Sequence, residues 1–202
     1  MSKLIEFDGH TTLMGITRSG KTYAAKKSLA AQSCGVLFFN TQHEQMPGFT
    51  KADKSNTWEQ IKALLDKGQK VAYFPAFEDE LRDKELGYLI GKLHDGTEKN
   101  VIVAVDEVHL FGKQGQKDMI KVATTGLRFG VKGVWLSQRP ANIDNTLMTQ
   151  SNQFVIFKLN MEGAYLDRYR MPSEEIKNKI EQGGQYNYVV YDWDTLKGPF
   201  KA

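Results

Sequence analysis

The chain predicts an α/β fold: a mostly parallel β-sheet flanked by helices, with a C-terminal edge strand or hairpin. Short apolar or β-branched runs alternate with longer segments of helical period, the rhythm of strands joined by crossover helices. One of these runs, Val101-Ile-Val-Ala-Val105, is continuously apolar, as a strand covered on both faces must be. Polar clusters follow the ends of several runs, where open α/β sheets gather their ligands.

The strands are expected at Thr11–Met14, Val36–Asn40, Val71–Phe74, Val101–Asp106, Val134–Ser137 and Phe154–Lys158. Tyr23–Ala31 is compatible with a helix. Between the second and third strands, Trp58, Ile61, Leu64 and Leu65 share one helical face, Thr57 and Gln60 fit a capping box, and Gly68 fits a C-terminal stop. A further helix is expected from Glu78 to Leu93 with Leu81, Leu89, Ile90 and Leu93 inward, and Asp95-Gly96 as the turn into the next strand. Ser173–Gln182 reads as a helix closed by Gly183 and Gly184, and Tyr186–Trp193 alternates like an edge strand or hairpin.

With 202 residues, 41% of them apolar, the expectation is one domain spanning 1–202. The formal charge of +3 is mild, so nucleic-acid contact would rest on local clusters of Lys and Arg. A single cysteine, Cys34, excludes an internal disulfide and reads as a small buried hydrophobe in an intracellular protein. The opening MSKLIEFDGH lacks a basic segment followed by an apolar stretch, and the longest apolar runs are far too short to cross a bilayer, so no membrane insertion is expected.

The most specific signal is Gly15-Ile16-Thr17-Arg18-Ser19-Gly20-Lys21-Thr22, a full GxxxxGK[ST] match between a strand and a helix-compatible stretch that starts at Tyr23. Gly15 and Gly20 let backbone N–H groups curl round phosphates, and the helix N-terminus adds its positive dipole end. Lys21 reaches the outer phosphates, and Thr22 offers a hydroxyl to Mg2+. The second half of the site is Asp106-Glu107 at the end of the buried strand. Asp106 would hold Mg2+ through water, and Glu107 would orient or deprotonate the water that attacks the γ-phosphate, which favours ATP hydrolysis over phosphoryl transfer.

A third polar cluster, Ser137-Gln138-Arg139-Pro140, ends a later strand. Placed after the two phosphate-site motifs, it resembles the FtsK/HerA superfamily of ring-forming DNA translocases, with a RecA-like core. The similarity extends through Leu127-Arg-Phe-Gly-Val-Lys-Gly-Val-Trp-Leu-Ser-Gln-Arg-Pro140 and Asn142-Ile-Asp144, and covers about residues 11–160. Size and motif order are also similar to the viral genome-packaging ATPases of that superfamily.

The resemblance implies Gln138 as γ-phosphate sensor and an arginine supplied by a neighbouring subunit. Arg128 is the first candidate, Arg139 the second and Arg82 a weaker third. It implies that the segment His109–Lys117 is a pore loop whose Lys113 and Lys117 touch double-stranded DNA phosphates without reading bases. It further implies a ring, expected to be a hexamer, acting in the host cytoplasm with capsid or portal-vertex proteins at the virion vertex.

His10, His43, His94 and His109 show no metal spacing and read as structural or exposed, while Tyr23, Tyr191 and Trp193 are placed in core packing rather than round an adenine. A HerA-like helicase or plasmid-transfer ATPase shares the whole catalytic set. A P-loop kinase would keep Lys21, Thr22 and Asp106, and Glu107 and Gln138 speak against it. A GTPase switch would need an Asn-Lys-x-Asp element, which the sequence lacks.

Overall fold

A strand that is apolar on both faces is stable only under helices on both sides of its sheet, and this requirement organises the chain. The computed structural model describes residues 4–96, 100–160 and 164–202. Its strands are β1 (Thr11–Met14), β2 (Gly35–Phe39), β3 (Thr50–Ala52), β4 (Lys70–Tyr73), β5 (Val101–Val105), β6 (Val131–Ser137), β7 (Gln153–Phe157), β8 (Asn187–Tyr191) and β9 (Leu196–Lys201). Its helices are α1 (Lys21–Ala30), α2 (Trp58–Asp66), α3 (Asp79–Gly96), α4 (Lys113–Thr125), α5 (Asn145–Thr149), α6 (Ala164–Arg168) and α7 (Ser173–Gly183).

These strands form one sheet in the order β3-β4-β2-β5-β6-β1-β7-β8-β9. From β3 to β7 the pairing is parallel, and β8 and β9 add an antiparallel hairpin beside β7. The six expected strands are present, with ends shifted by one residue at most positions and an earlier start for β6. The alternating C-terminal segment is a hairpin in which β9 is the edge.

Successive residues feed opposite cores, as the period of a strand dictates. Leu37, Phe39, Val101, Val103 and Val105 pack with residues of α2, α3 and α4, whereas Val36, Phe38, Ile102 and Ala104 pack with Ala24, Ala25 and Leu29 of α1. Among the described residues no helix is long and apolar enough to cross a membrane.

Several local expectations are corrected. In α3 the buried stripe is Leu86, Leu89, Ile90 and Leu93, while Leu81 is exposed. The inward positions of its first turn hold Arg82 and Asp83 instead. Arg82 pairs with Asp79 at 2.6 Å and donates to the carbonyls of Phe77 and Leu110. Asp83 accepts the backbone N–H groups of Gly112 and Gly115, each at 3.2 Å.

That carboxylate ends the expected loop early: a short turn, Val108–Leu110, leads directly into α4, which buries Met119, Val122 and Ala123. The helix α3 runs on through Asp95 and Gly96, where a turn was expected. Cys34 is only partly buried. The short β3, Thr-Lys-Ala, carries no apolar run and was not expected as a strand.

The capping box of α2 is present: Thr57 Oγ1 accepts the Gln60 N–H at 3.3 Å and Gln60 Oε1 accepts the Thr57 N–H at 3.0 Å. Thr57→Ala removes the first of these bonds and is expected to cost about 1 kcal/mol. This corresponds to a fall of roughly 3 °C in the thermal midpoint. Thermal unfolding checks it, and an unchanged midpoint would mean that the cap is not formed in solution.

Candidate nucleotide-binding site

The strand order decides which loops meet. Because β6 lies between β1 and β5, its C-terminal end is set between the glycine-rich loop that leaves β1 and the acidic pair that leaves β5. The loop is pinned on both sides: Gly15 N–H donates to the Ser137 carbonyl at 3.3 Å and Ile16 N–H to the Lys158 carbonyl at 2.9 Å. A Cβ on Gly15 would come within 2.6 Å of Phe157 Cβ and 2.8 Å of Ser19 Oγ, so the close approach admits only glycine. Gly20 has φ 94° and precedes the first turn of α1, which has no side-chain cap and no acidic residue. The free N–H groups of that turn stand open to an anion.

Lys21 is 3% exposed, and its Nζ lies 3.3 Å from Glu107 Oε1 and 3.9 Å from Asp106 Oδ1. Gln138 completes the cluster. Its backbone N–H donates to Glu107 Oε2 at 3.0 Å, its Nε2 to Glu107 Oε1 at 2.5 Å, and its Oε1 accepts the hydroxyl of Thr17. His109 Nδ1 lies 3.2 Å from Glu107 Oε2. Glu107 itself has φ 50°, the left-handed region that a non-glycine residue occupies at a cost of about 1–3 kcal/mol when the surroundings over-determine it.

The two carboxyl groups titrate apart. Burial pushes Asp106 up to about 6, against the pull of Lys21 and with the help of Glu107. Burial would raise Glu107 as well, but the His109 hydrogen bond, the Lys21 ammonium and the Gln138 hydrogen bonds together hold it down to about 2. Both Asp106 oxygens, and Ser19 Oγ, are buried without a hydrogen-bond partner. A buried charge in that condition fits a metal ligand. Among the described residues no group of three or more His, Cys, Asp or Glu is arranged to hold a metal, which leaves Asp106 with the half-buried Thr22 as the fitting donors for a cation that keeps most of its waters.

On the other side of the loop, a cleft of about 930 Å³ opens between the end of β7 and α7, lined by Ile16, Arg18, Leu159, Ile176, Ile180 and Tyr186 among others. It was not legible beforehand, because its walls come from chain segments with no shared motif. Tyr191 and Trp193 pack on Phe154, with the Trp193 ring N–H donating to the Ser151 carbonyl at 2.7 Å. Tyr23, expected in core packing, is instead 62% exposed.

The arginine candidates separate. Arg82 is buried, with its guanidinium engaged by Asp79 and the carbonyls of Phe77 and Leu110. Arg139 is exposed next to Gln138. Arg128 is exposed in the turn Gly126–Phe129 before β6, at the opposite edge of the sheet from Gln138. Lys113 and Lys117 are exposed one turn apart on α4, a helix face rather than a loop. His109, expected to be structural or exposed, faces Glu107; its place just past the acidic pair at the sheet edge was the signal that could have found it.

Asp106 provides a test of this electrostatic picture. With a folded value near 6 against an ordinary 3.8, the buried charge opposes folding as pH rises from 3.8 to about 6 and does so fully above it. Asp106→Asn is therefore expected to raise the thermal midpoint of the nucleotide-free protein at neutral pH by roughly 5 °C or more. The gain should vanish as pH falls below 3.8. A destabilised variant at neutral pH would contradict it.

No family model matches the chain, and no curated protein matches it in sequence. Solved structures do match it. B204, the DNA-packaging ATPase from Sulfolobus turreted icosahedral virus, has a TM-score of 0.71 at 16% identity, over 98% of this chain and 100% of that one. The genome packaging NTPase B204 from Sulfolobus turreted icosahedral virus 2 in complex with AMP has 0.70 at 18% identity, over 98% and 100%. Thermomonospora curvata EccC (ATPases 2 and 3) has 0.56 at 12% identity, over 95% of this chain and 37% of that one. At these identities the likeness is one of fold, and it is the fold implied by the resemblance at Ser137-Gln-Arg-Pro140: the chain has the P-loop NTPase architecture of the B204 packaging ATPases.

Proposed function

We propose that the chain is a single-domain, Mg2+-dependent ATPase that works as a ring, expected to be a hexamer, and moves double-stranded DNA into a viral capsid. The observation that carries this reading is the contact of the half-buried Gln138 with both the exposed Thr17 of the phosphate loop and the buried Glu107. A group that contacts the phosphate loop and the hydrolytic carboxylate at once is placed to report the state of the γ-phosphate to β6.

In this reading the N–H groups of residues 15–22 and Lys21 bind the triphosphate, and the base enters the cleft between β7 and α7. Bound at Thr22 and Asp106, Mg2+ would neutralise charge on the phosphates. Glu107, held as a carboxylate, accepts a proton from the attacking water. The likeness in fold to the B204 packaging ATPases favours a packaging motor over a helicase.

Arg128 serves as the residue donated to the next subunit. The length of β6, roughly 20 Å at 3.3 Å per residue, separates it from its own site, so it could complete only a neighbour's. It stands between the exposed Leu127 and Phe129, and the exposed Phe77, Leu81 and Leu110 lie near the opposite, nucleotide-binding edge. Two different apolar surfaces on opposite edges suit a head-to-tail contact that closes into a ring. Arg139 is the alternative finger. Lys113 occupies the first position of α4, where a cation opposes the helix dipole and a DNA phosphate would relieve it. Capsid or portal proteins at the virion vertex, and the host cytoplasm before that, complete the proposed setting.

The test is ATP turnover by the purified protein with and without double-stranded DNA. DNA-stimulated turnover that is absent in Lys21→Ala is expected. Glu107→Gln should retain ATP binding while turnover falls about 10²- to 10⁴-fold. Phosphate transfer to a metabolite without any response to DNA would overturn the motor reading.

A further inference from the structure

The two oxygens of Glu107 are held by partners of different kinds. Oε1 is held by Lys21 Nζ at 3.3 Å and by the side-chain amide of Gln138 at 2.5 Å. Both are mobile donors for which a bound triphosphate would compete. Oε2 is held by the backbone N–H of Gln138 at 3.0 Å and by His109 Nδ1 at 3.2 Å. Neither of these can follow a phosphate: one belongs to the end of β6, and the other is a ring whose side chain is only 12% exposed. The same Nδ1 lies 3.3 Å from Ser137 Oγ, which also accepts the Arg139 N–H at 3.0 Å, so the ring is seated between the carboxylate and the sensor strand.

We propose that His109 is a positioning residue for Glu107: its ring N–H anchors Oε2, so that Oε1 becomes the free, aimed atom once phosphates draw off Lys21 and the Gln138 amide. The inference rests on the ATPase reading. The need for an anchor follows from the backbone, since Glu107 lies past the end of β5 at φ 50°, a left-handed conformation that persists only where its surroundings hold it. A ring N–H facing a carboxylate also fixes the ring in one tautomer, and removing a comparable orienting partner behind a metal ligand costs about 10- to 100-fold in activity. His109 does not touch the reacting atoms and acts only through Glu107.

The experiment is steady-state ATP turnover with Mg2+ for the full chain and the variants His109→Ala, His109→Asn, His109→Gln and His109→Ala/Glu107→Gln. His109→Ala should lower kcat about 10- to 100-fold with KM for ATP within about twofold. His109→Asn, whose amide nitrogen takes the place of Nδ1, should restore most of the rate. His109→Gln, whose amide reaches instead toward the Nε2 position, should not. In the Glu107→Gln background His109→Ala should add no further loss. If His109→Ala fails to fold, the contrast between Asn and Gln decides alone. Equal rates for Asn and Gln, wild-type kcat in His109→Ala, or a full additional loss in the double variant would each overturn the proposal. Absence of turnover in the wild-type protein would overturn it together with the ATPase reading.

Discussion

The structure depends on the burial of Lys21 against Asp106 and Glu107. Two carboxylates almost removed from water at one sheet edge need the ammonium between them, because deleting Lys21 would leave uncompensated buried charge. Their meeting requires the strand order: β1 delivers the lysine at the start of α1, β5 delivers the carboxylates, and β6 fills the gap and brings Gln138 to Glu107. The strained backbone of Glu107 and the pinned glycine loop are consequences of holding this cluster closed.

One ammonium facing two carboxylates also leaves the cluster short of positive charge. The deficit falls on Asp106, whose oxygens lack hydrogen-bond partners and whose proton affinity is raised by burial, while Glu107 takes the hydrogen bonds and stays ionised. Two neighbouring residues of the same chemistry are thereby given different tasks: one suits a cation, the other a proton from water. Substrate phosphates would bring negative charge to Lys21, and a divalent cation would balance both changes.

Much of this was legible in the sequence, for reasons particular to each element. Parallel strands buried on both faces read as unbroken apolar runs, so Val101–Val105 could hardly be anything else, and the glycine loop matches the spacing of a phosphate-binding motif. What escaped depends on long-range partners. The start of α4 was read as a loop because the resemblance implies one there, yet the backbone amides of Gly112 and Gly115 bind Asp83 from α3 and the helix begins at Lys113. Leu81 was placed inward on hydrophobicity, which cannot register the carbonyls and the Asp79 carboxylate that hold the buried guanidinium of Arg82 in that turn instead. His109 was read as bland because its partner is not a metal but Glu107, two residues away across a left-handed turn.

The most direct measurement is a crystal structure of the protein with Mg2+ and a non-hydrolysable ATP analogue. The account predicts that Lys21 Nζ leaves Glu107 and lies about 3 Å from a β- or γ-phosphate oxygen, with the cation on the Asp106 side and Glu107 still ionised beside Gln138. Lys21 remaining on the carboxylates, with the nucleotide bound elsewhere, would contradict it.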